Sequence, residues 1–270
     1  MTDNIKTIGN ISFKIVKEEY DVYFDMALNM LKVIMDNNAK GKNTVMIVPV
    51  GPTQQYPILA RLVNQLSVSL KNVWFFNMDE YLITPTQSID QNHFMSFKKR
   101  MQDEFYSRIN EDLIMPENQR LFPEPLKEKE FDTLIEKLGG VDAVFGGLGI
   151  NGHIAFNEPP EEGENVTVEE FANLPTRVLK ISRETRTINA YGYQRGDLRG
   201  MPEYCITVGM KQILSAKKVY LALNRDWQHG IVKHVLFDEP TSAIPSSLLQ
   251  NHPSVEFCAY ESVAKGLFND

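Results

Sequence analysis

Tyr23, Met26, Ala27, Met30, Leu31 and Ile34 recur with the 3.6-residue period of a helix, which predicts an amphipathic helix over residues 20–38. Residues 45–49 are a short apolar run and predict a strand, with Gly51-Pro52-Thr53 as the turn after it. A second helix over 58–66 and a second apolar strand over 73–78 follow, the strand ending at Asp79-Glu80-Tyr81. Residues 93–109 have helical character. Phe131, Leu134, Ile135 and Leu138 make a further apolar stripe, closed by Gly139-Gly140 as a helix-stop signal. Residues 141–145 predict a short buried strand. Farther on, 206–208, 219–223 and 255–259 read as strands, separated by helical stretches near 185–193, 210–216 and 226–237.

Strands alternating with helices predict an α/β fold: a single-domain, doubly wound, mostly parallel sheet with helices on both faces, a modified Rossmann-like arrangement. In such a sheet ligands bind outside the carboxyl ends of the strands. The segment Pro159-Pro160-Glu161-Glu162-Gly163-Glu164 is acidic and breaks any helix. It opens a surface excursion, and residues 159–176 are a candidate lid beside a site.

Composition narrows the function classes. The chain has 270 residues, 43% of them apolar, with no linker, internal repeat or low-complexity tract, so one domain over 1–270 is expected. A net charge of −7 with scattered Lys and Arg gives no footprint for nucleic acid. Cys205 and Cys258 lack CxxC spacing, which argues against a disulfide framework or zinc site and for a reducing cytoplasm. Met1-Thr2-Asp3-Asn4-Ile5-Lys6 carries no secretory pattern, and no stretch approaches membrane-span length. The expectation is a cytoplasmic protein with no nucleic-acid or membrane partner.

The chemistry concentrates in Gly146-Gly147-Leu148-Gly149-Ile150-Asn151-Gly152-His153-Ile154-Ala155-Phe156-Asn157-Glu158-Pro159. This run places a histidine and a carboxylate five residues apart on a glycine-rich turn after an apolar strand, as a catalytic loop requires. Gly147-x-Gly149-x-x-Gly152 matches the dinucleotide fingerprint by letter, but Pro159-Pro160 stops the helix that should begin there and no acid-ended strand follows. No nicotinamide or flavin site is therefore expected. Asp79-Glu80, with Asn77 and Tyr81 beside it, sits at a strand end, where side chains reach a ligand crevice. His93, His229, His234 and His252 share no metal-ligand spacing with His153, so no metal is expected either. Arg186 starts a helix, where an anion is already favoured; an exposed salt bridge is its other reading.

Together, Asn77-Met78-Asp79-Glu80-Tyr81 and the 146–159 run resemble the glucosamine-6-phosphate deaminase family, also called glucosamine-6-phosphate isomerase. Val48-Pro49-Val50-Gly51-Pro52-Thr53 falls where that family has a phosphate loop, Glu184-Thr185-Arg186 where it has a phosphate-binding arginine, and Leu249-Gln250-Asn251-His252-Pro253 near its carboxyl end. The resemblance runs from about residue 45 to 260 and implies a fold shared with 6-phosphogluconolactonases. It implies conversion of an amino-sugar phosphate and water to a ketose phosphate and ammonia, without metal or organic cofactor. His153, oriented by Glu158 and Asn151, is implied as the acid/base group that opens the pyranose, and Asp79 as the base that moves a proton from C2 to C1. Gly51, Thr53, Glu80, Gly149, Gly152 and Arg186 are implied as substrate-binding. The small-molecule partner is then a sugar phosphate, and a homo-oligomer is among the expectations.

Three positions depart from the family pattern. Asn151 stands where many members have aspartate, and an amide can orient an imidazole without stabilising its cation. Pro52 replaces a usual glycine and removes an amide donor from a turn that should donate to phosphate. Near Gln228 the family has a phosphate-binding lysine; this chain has none, and Arg225 is out of register. The acidic segment also interrupts the stretch where some members bind an allosteric sugar phosphate, although Arg177 remains. Two rival readings are a lactonase-like hydrolase, which needs no Asp79, and a sugar-phosphate sensor without turnover.

Overall fold

The computed structural model describes residues 4–268. It opens with a hairpin, β1 (Asn4–Ile8) and β2 (Ile11–Val16), which the hydrophobic pattern above does not include. Next come α1 (Glu19–Ala39), β3 (Thr44–Val48), α2 (Gln55–Gln65) and β4 (Val73–Asn77). β5 (Asp79–Thr84) and β6 (Gln87–Ser88) precede α3 (Phe97–Glu104), β7 (Arg120–Leu121), α4 (Glu128–Lys137) and β8 (Ala143–Gly146). Beyond the glycine-rich loop lie α5 (Val168–Ala172), β9 (Arg177–Lys180), α6 (Arg183–Tyr193), β10 (Tyr204–Thr207) and α7 (Met210–Leu214). The chain closes with β11 (Val219–Leu223), α8 (Gln228–Phe237), β12 (Val255–Tyr260) and α9 (Glu261–Ala264).

The main sheet has the order β1-β2-β12-β11-β8-β3-β4-β7 and is parallel except for the β1–β2 hairpin. Successive residues of its strands enter opposite cores, as the two-residue period of a strand buried on both faces demands. In β3, Val45 and Ile47 pack toward α4, α7 and α8, while Met46 and Val48 pack toward α1 and α2. The α/β expectation with helices on both faces therefore holds. The winding reverses between β3 and β8, and the crevice outside their carboxyl ends is where a doubly wound sheet binds ligands.

One part of the expected topology is corrected. β5 and β10 do not join or end the parallel sheet; with β6 and β9 they form a separate antiparallel sheet in the order β6-β5-β10-β9. Only Met78 separates β4 from β5, so one apolar run feeds two sheets. The helix expected over 93–109 is also shorter: Ser96 caps α3 by accepting the Lys99 N–H at 3.2 Å, and α3 stops at Glu104.

Candidate active site

A cavity of about 1120 Å³ opens at the strand ends where the winding reverses. It is walled by Gly51, Pro52 and Thr53 after β3, by Gly147, Gly149 and His153 after β8, and by Asn224 to Gln228 after β11. Asp79 and Tyr81 of β5 and Asn189 of α6 complete it. A Cβ placed on Gly147 would lie 3.4 Å from Pro52 Cδ and 3.5 Å from the Ala222 carbonyl, so the ends of three strands meet at this glycine.

His153 is 9% exposed and held at Nδ1 by a polar cluster. Asn151 Oδ1 lies at 2.8 Å, Thr185 Oγ1 at 3.2 Å and Glu158 Oε2 at 3.5 Å. The amide of Asn151 donates to Glu158 Oε2 at 2.6 Å and to Ser182 Oγ at 3.2 Å, which leaves its carbonyl oxygen for the ring. Nδ1 therefore carries the proton and Nε2 the lone pair. A side chain on Gly149 would run into the ring at Nε2, so the glycine is what leaves that nitrogen open to the cavity. The turn itself is tied by Gly149 N–H to the His153 carbonyl and Gly152 N–H to the Gly149 carbonyl.

Burial would raise the Glu158 carboxyl, but hydrogen bonding to His153 and its charge, with bonds from Asn151 and Thr185, outweigh this and bring it down to about 2. Glu158 is thus a fixed anion behind the ring. Neither Glu158 nor Asn151 lines the cavity; both sit behind the His153 ring, at Nδ1. Ser182 and Thr185 belong to the first turn of α6, where Ser182 caps the helix and passes its hydroxyl proton to Thr185 Oγ1 at 3.0 Å.

Asp79 faces the cavity from the first position of β5 and is 6% exposed. Burial and then the charge of Glu80 hold its carboxyl well above the ordinary range. Both halves of the site are bolted to β10. Thr207 pairs with Asp79 across the ladder and accepts the Phe156 N–H at 3.0 Å, while the Val208 carbonyl accepts the Asn157 amide at 2.8 Å. Arg177 of β9 closes the clamp with a 2.6 Å bond to Asn157 Oδ1.

Gly51, Thr53, Gly149, Asp79 and His153 thus converge on one cavity, and three other residues expected there do not. Glu80 turns inward: its oxygens accept the N–H groups of Tyr81, Phe97 and Lys98 and the Ser96 hydroxyl, so it anchors the start of α3. Gly152 has φ +85°, and a Cβ there would meet Ile244 at 2.7 Å; its role is packing. Arg186 points along α6 to the Leu198 and Met201 carbonyls at 3.5 and 3.4 Å and to Glu203 at 3.4 Å, outside the cavity. The 159–176 segment does not line the cavity either. Its α5 carries Phe171 into the main core.

Sequence reasoning also misses residues that the fold delivers. Thr185 and Ser182 carry only a helix-cap signal, and nothing in the spacing ties them to His153. Asn189, which bonds the Tyr81 hydroxyl at 3.1 Å, and Arg100 of α3 reach the cavity from separate elements. Gln228 is a buried staple: its Oε1 accepts the N–H groups of Asn224 and Arg225, both at 2.9 Å, and its amide donates to the Leu148 carbonyl at 2.9 Å.

Comparison with known proteins places this geometry. No family model matches the chain. It is 30% identical over 219 residues to a glucosamine-6-phosphate deaminase of Shouchella clausii, covering 79% of this chain and 81% of that one. It is 28% identical over 249 residues to the Lachnoclostridium phytofermentans protein of the same name, covering 88% and 97%. Among solved structures, a monomeric glucosamine-6-phosphate deaminase superposes with a TM-score of 0.78 at 23% identity, over 93% of this chain and 98% of that one. The 6-phosphogluconolactonase of Trypanosoma cruzi follows at 0.67 and 16%, over 95% and 97%, and these two likenesses speak to the fold alone. With the Asn77 to Tyr81 and 146–159 motifs converging on one cavity and the sequence matches spanning most of both chains, the chain belongs to the glucosamine-6-phosphate deaminase family.

Proposed function

We propose that this chain is an aldose–ketose isomerase and deaminase that converts an amino-sugar phosphate and water into a ketose phosphate and ammonia. The observation that carries the reading is the pairing of Asp79 and His153 on one cavity, with the protons of the second fixed by Asn151, Thr185 and Glu158.

The steps follow from that arrangement. Nε2 of His153 takes the proton of the anomeric hydroxyl as the ring C1–O5 bond breaks, and returns it to O5; the sugar becomes an open-chain aldehyde. During this step the imidazole is transiently cationic. The Glu158 anion at 3.5 Å stabilises that charge, while Asn151 keeps the ring oriented. Asp79 then removes the C2 proton while O1 takes one from the substrate's own 2-ammonium group, giving a neutral enolamine and leaving His153 neutral. Returning the C2 proton from Asp79 to C1 leaves a protonated imine at C2, to which water adds and from which ammonia departs. A buried carboxyl with a raised proton affinity is a stronger base than an exposed one, and it works where water does not compete.

Asp79 weighs against a lactonase reading, because acyl hydrolysis has no carbon-bound proton to move. Location in the cytoplasm belongs to the same reading and is supported by two buried free cysteines, Cys205 and Cys258. Among the described residues, no helix is long and apolar enough to cross a membrane. The test is to incubate the protein with glucosamine 6-phosphate and follow ammonia together with ketose phosphate. Equal amounts of both are expected, and hydrolysis of 6-phosphogluconolactone without ammonia release would replace this reading with the lactonase one.

A further inference from the structure

We infer that the outward face of α1 is a self-association surface, on which a second copy of this chain lays its own α1 antiparallel. The inference goes beyond the deaminase reading and stands apart from it, since none of the residues that carry it lines the cavity.

α1 is apolar on two sides. Val22, Met26, Met30 and Ile34 are buried among the residues of the core beneath it. Tyr20, Phe24, Leu28 and Met35 lie within about 80° of arc on the helix, to one side of that buried face. They remain 60, 38, 40 and 46% exposed, and the rings of Tyr20 and Phe24 stack with centroids 6.4 Å apart. Near the end of α1, Asn38 donates to the Ser69 carbonyl at 2.8 Å, which brings Leu66, 57% exposed, to the same end. Single apolar side chains are ordinary on a protein surface, whereas a file of them along a helix marks an interface.

The charges beside this stripe select the partner. Asp21 and Lys32 are exposed on one flank of it, and neither makes an ion pair among the described residues. The middle of the helix between them falls between Met26 and Ala27, about 8 Å from each at 1.5 Å per residue. A twofold axis there, normal to the plane of two antiparallel helices, sets Asp21 of one copy against Lys32 of the other, twice. The same register brings Phe24 within one residue of the opposite Leu28, and Lys17, just ahead of the helix, opposite Asp36. Parallel pairing would set Asp21 on Asp21 and Lys32 on Lys32, so these charges reject it. A lipid surface is the poorer match, because α1 carries Glu19, Asp21, Asp25 and Asp36 against Lys32 alone, the reverse of the basic face that anionic lipid attracts.

The test is sedimentation velocity at low salt over a concentration range of roughly 1–200 µM. The wild type is expected to pass from monomer to dimer with a Kd on the order of 10 µM, as a small interface gives. Asp21→Lys and Lys32→Asp each create two like-charge contacts, and each is expected to weaken the dimer by on the order of thirtyfold. An equimolar mixture of the two variants restores opposite signs at both contacts and is expected to dimerise as the wild type does, a result that misfolding of either variant could not give. A monomer throughout the range overturns the inference, whether or not the stripe then binds phosphatidylcholine vesicles or another protein. So does a dimer that either variant leaves unweakened, which uses another surface, or one that the mixture fails to restore, which lacks the Asp21–Lys32 register.

Discussion

The two ends of the cavity treat their polar atoms in opposite ways. Around His153, four side chains are arranged so that one lone pair, at Nε2, is left for a ligand. At the Gly51 and Asn224 wall, the N–H groups of Thr53, Asn224 and Arg225 are closed onto Gln54 and Gln228. Pre-organisation toward a reacting atom and pre-organisation of the scaffold itself are different uses of the same kind of bond. Only the first speaks to chemistry.

Substitutions can break that contrast or sharpen it. Asp79→Asn removes the base for C2 and is expected to lower kcat for ammonia release by on the order of ten thousandfold with the fold intact by circular dichroism. The wild-type pH profile carries the same prediction: Asp79 must be ionised to act and its carboxyl is held high, so the acidic limb of kcat/KM lies well above pH ~3.9. Below that limb the rate falls about tenfold per pH unit as the ionised fraction drops, and a limb at the ordinary aspartate value would disconnect Asp79 from the rate. His153→Gln is expected to cost on the order of a hundred- to a thousandfold on the cyclic sugar. That loss should be smaller on an open-chain analogue, since ring opening is bypassed.

Thr185→Val keeps the Ser182 cap but removes the hydroxyl beside Nδ1. About a tenfold fall in kcat at unchanged KM is expected, with Thr185→Ser restoring it; a purely structural role would move the melting temperature without that rescue. At the other end, Gln228→Leu leaves two N–H groups and the Leu148 carbonyl unpaired. A loss of about 3 kcal/mol, lowering Tm by roughly 5–10 °C in a scanning calorimeter, is expected there. A large activity loss at constant Tm would instead bring Gln228 into the chemistry.

Much of this architecture is written in the chain. The strands and helices that build both cores follow apolar periods that α1, β3 and β8 show plainly, and the 146–159 loop declares its glycines, its histidine and its carboxylate in order. What escapes the sequence is whatever depends on rotation or on a partner strand. Nothing in Phe75-Phe76-Asn77-Met78-Asp79-Glu80-Tyr81 marks the point where the chain leaves one sheet for another, because both strands are buried and no turn residue intervenes. That change of sheet also decides which of two adjacent carboxylates faces the cavity: alternation sends Asp79 outward and Glu80 to the start of α3. Arg186 is the helical version of the same case. Its place near the start of α6 is legible, but the azimuth that turns it toward Glu203 is not. The β1–β2 hairpin does have a signal, the Gly9-Asn10 turn between alternating residues, and is short enough to be passed over.

The clamp made by β10 has an evolutionary reading. Because Thr207 and Val208 hold both the Asp79 strand and the 156–157 stretch, the spacing of Asp79 and His153 is tied to β10 and, through Gln228 and Leu148, to the turn before α8, but by no hydrogen bond to residues 51–54 among the described residues. Single substitutions at 51–54 can therefore reshape that wall of the cavity while Asp79 and His153 are inherited as a unit.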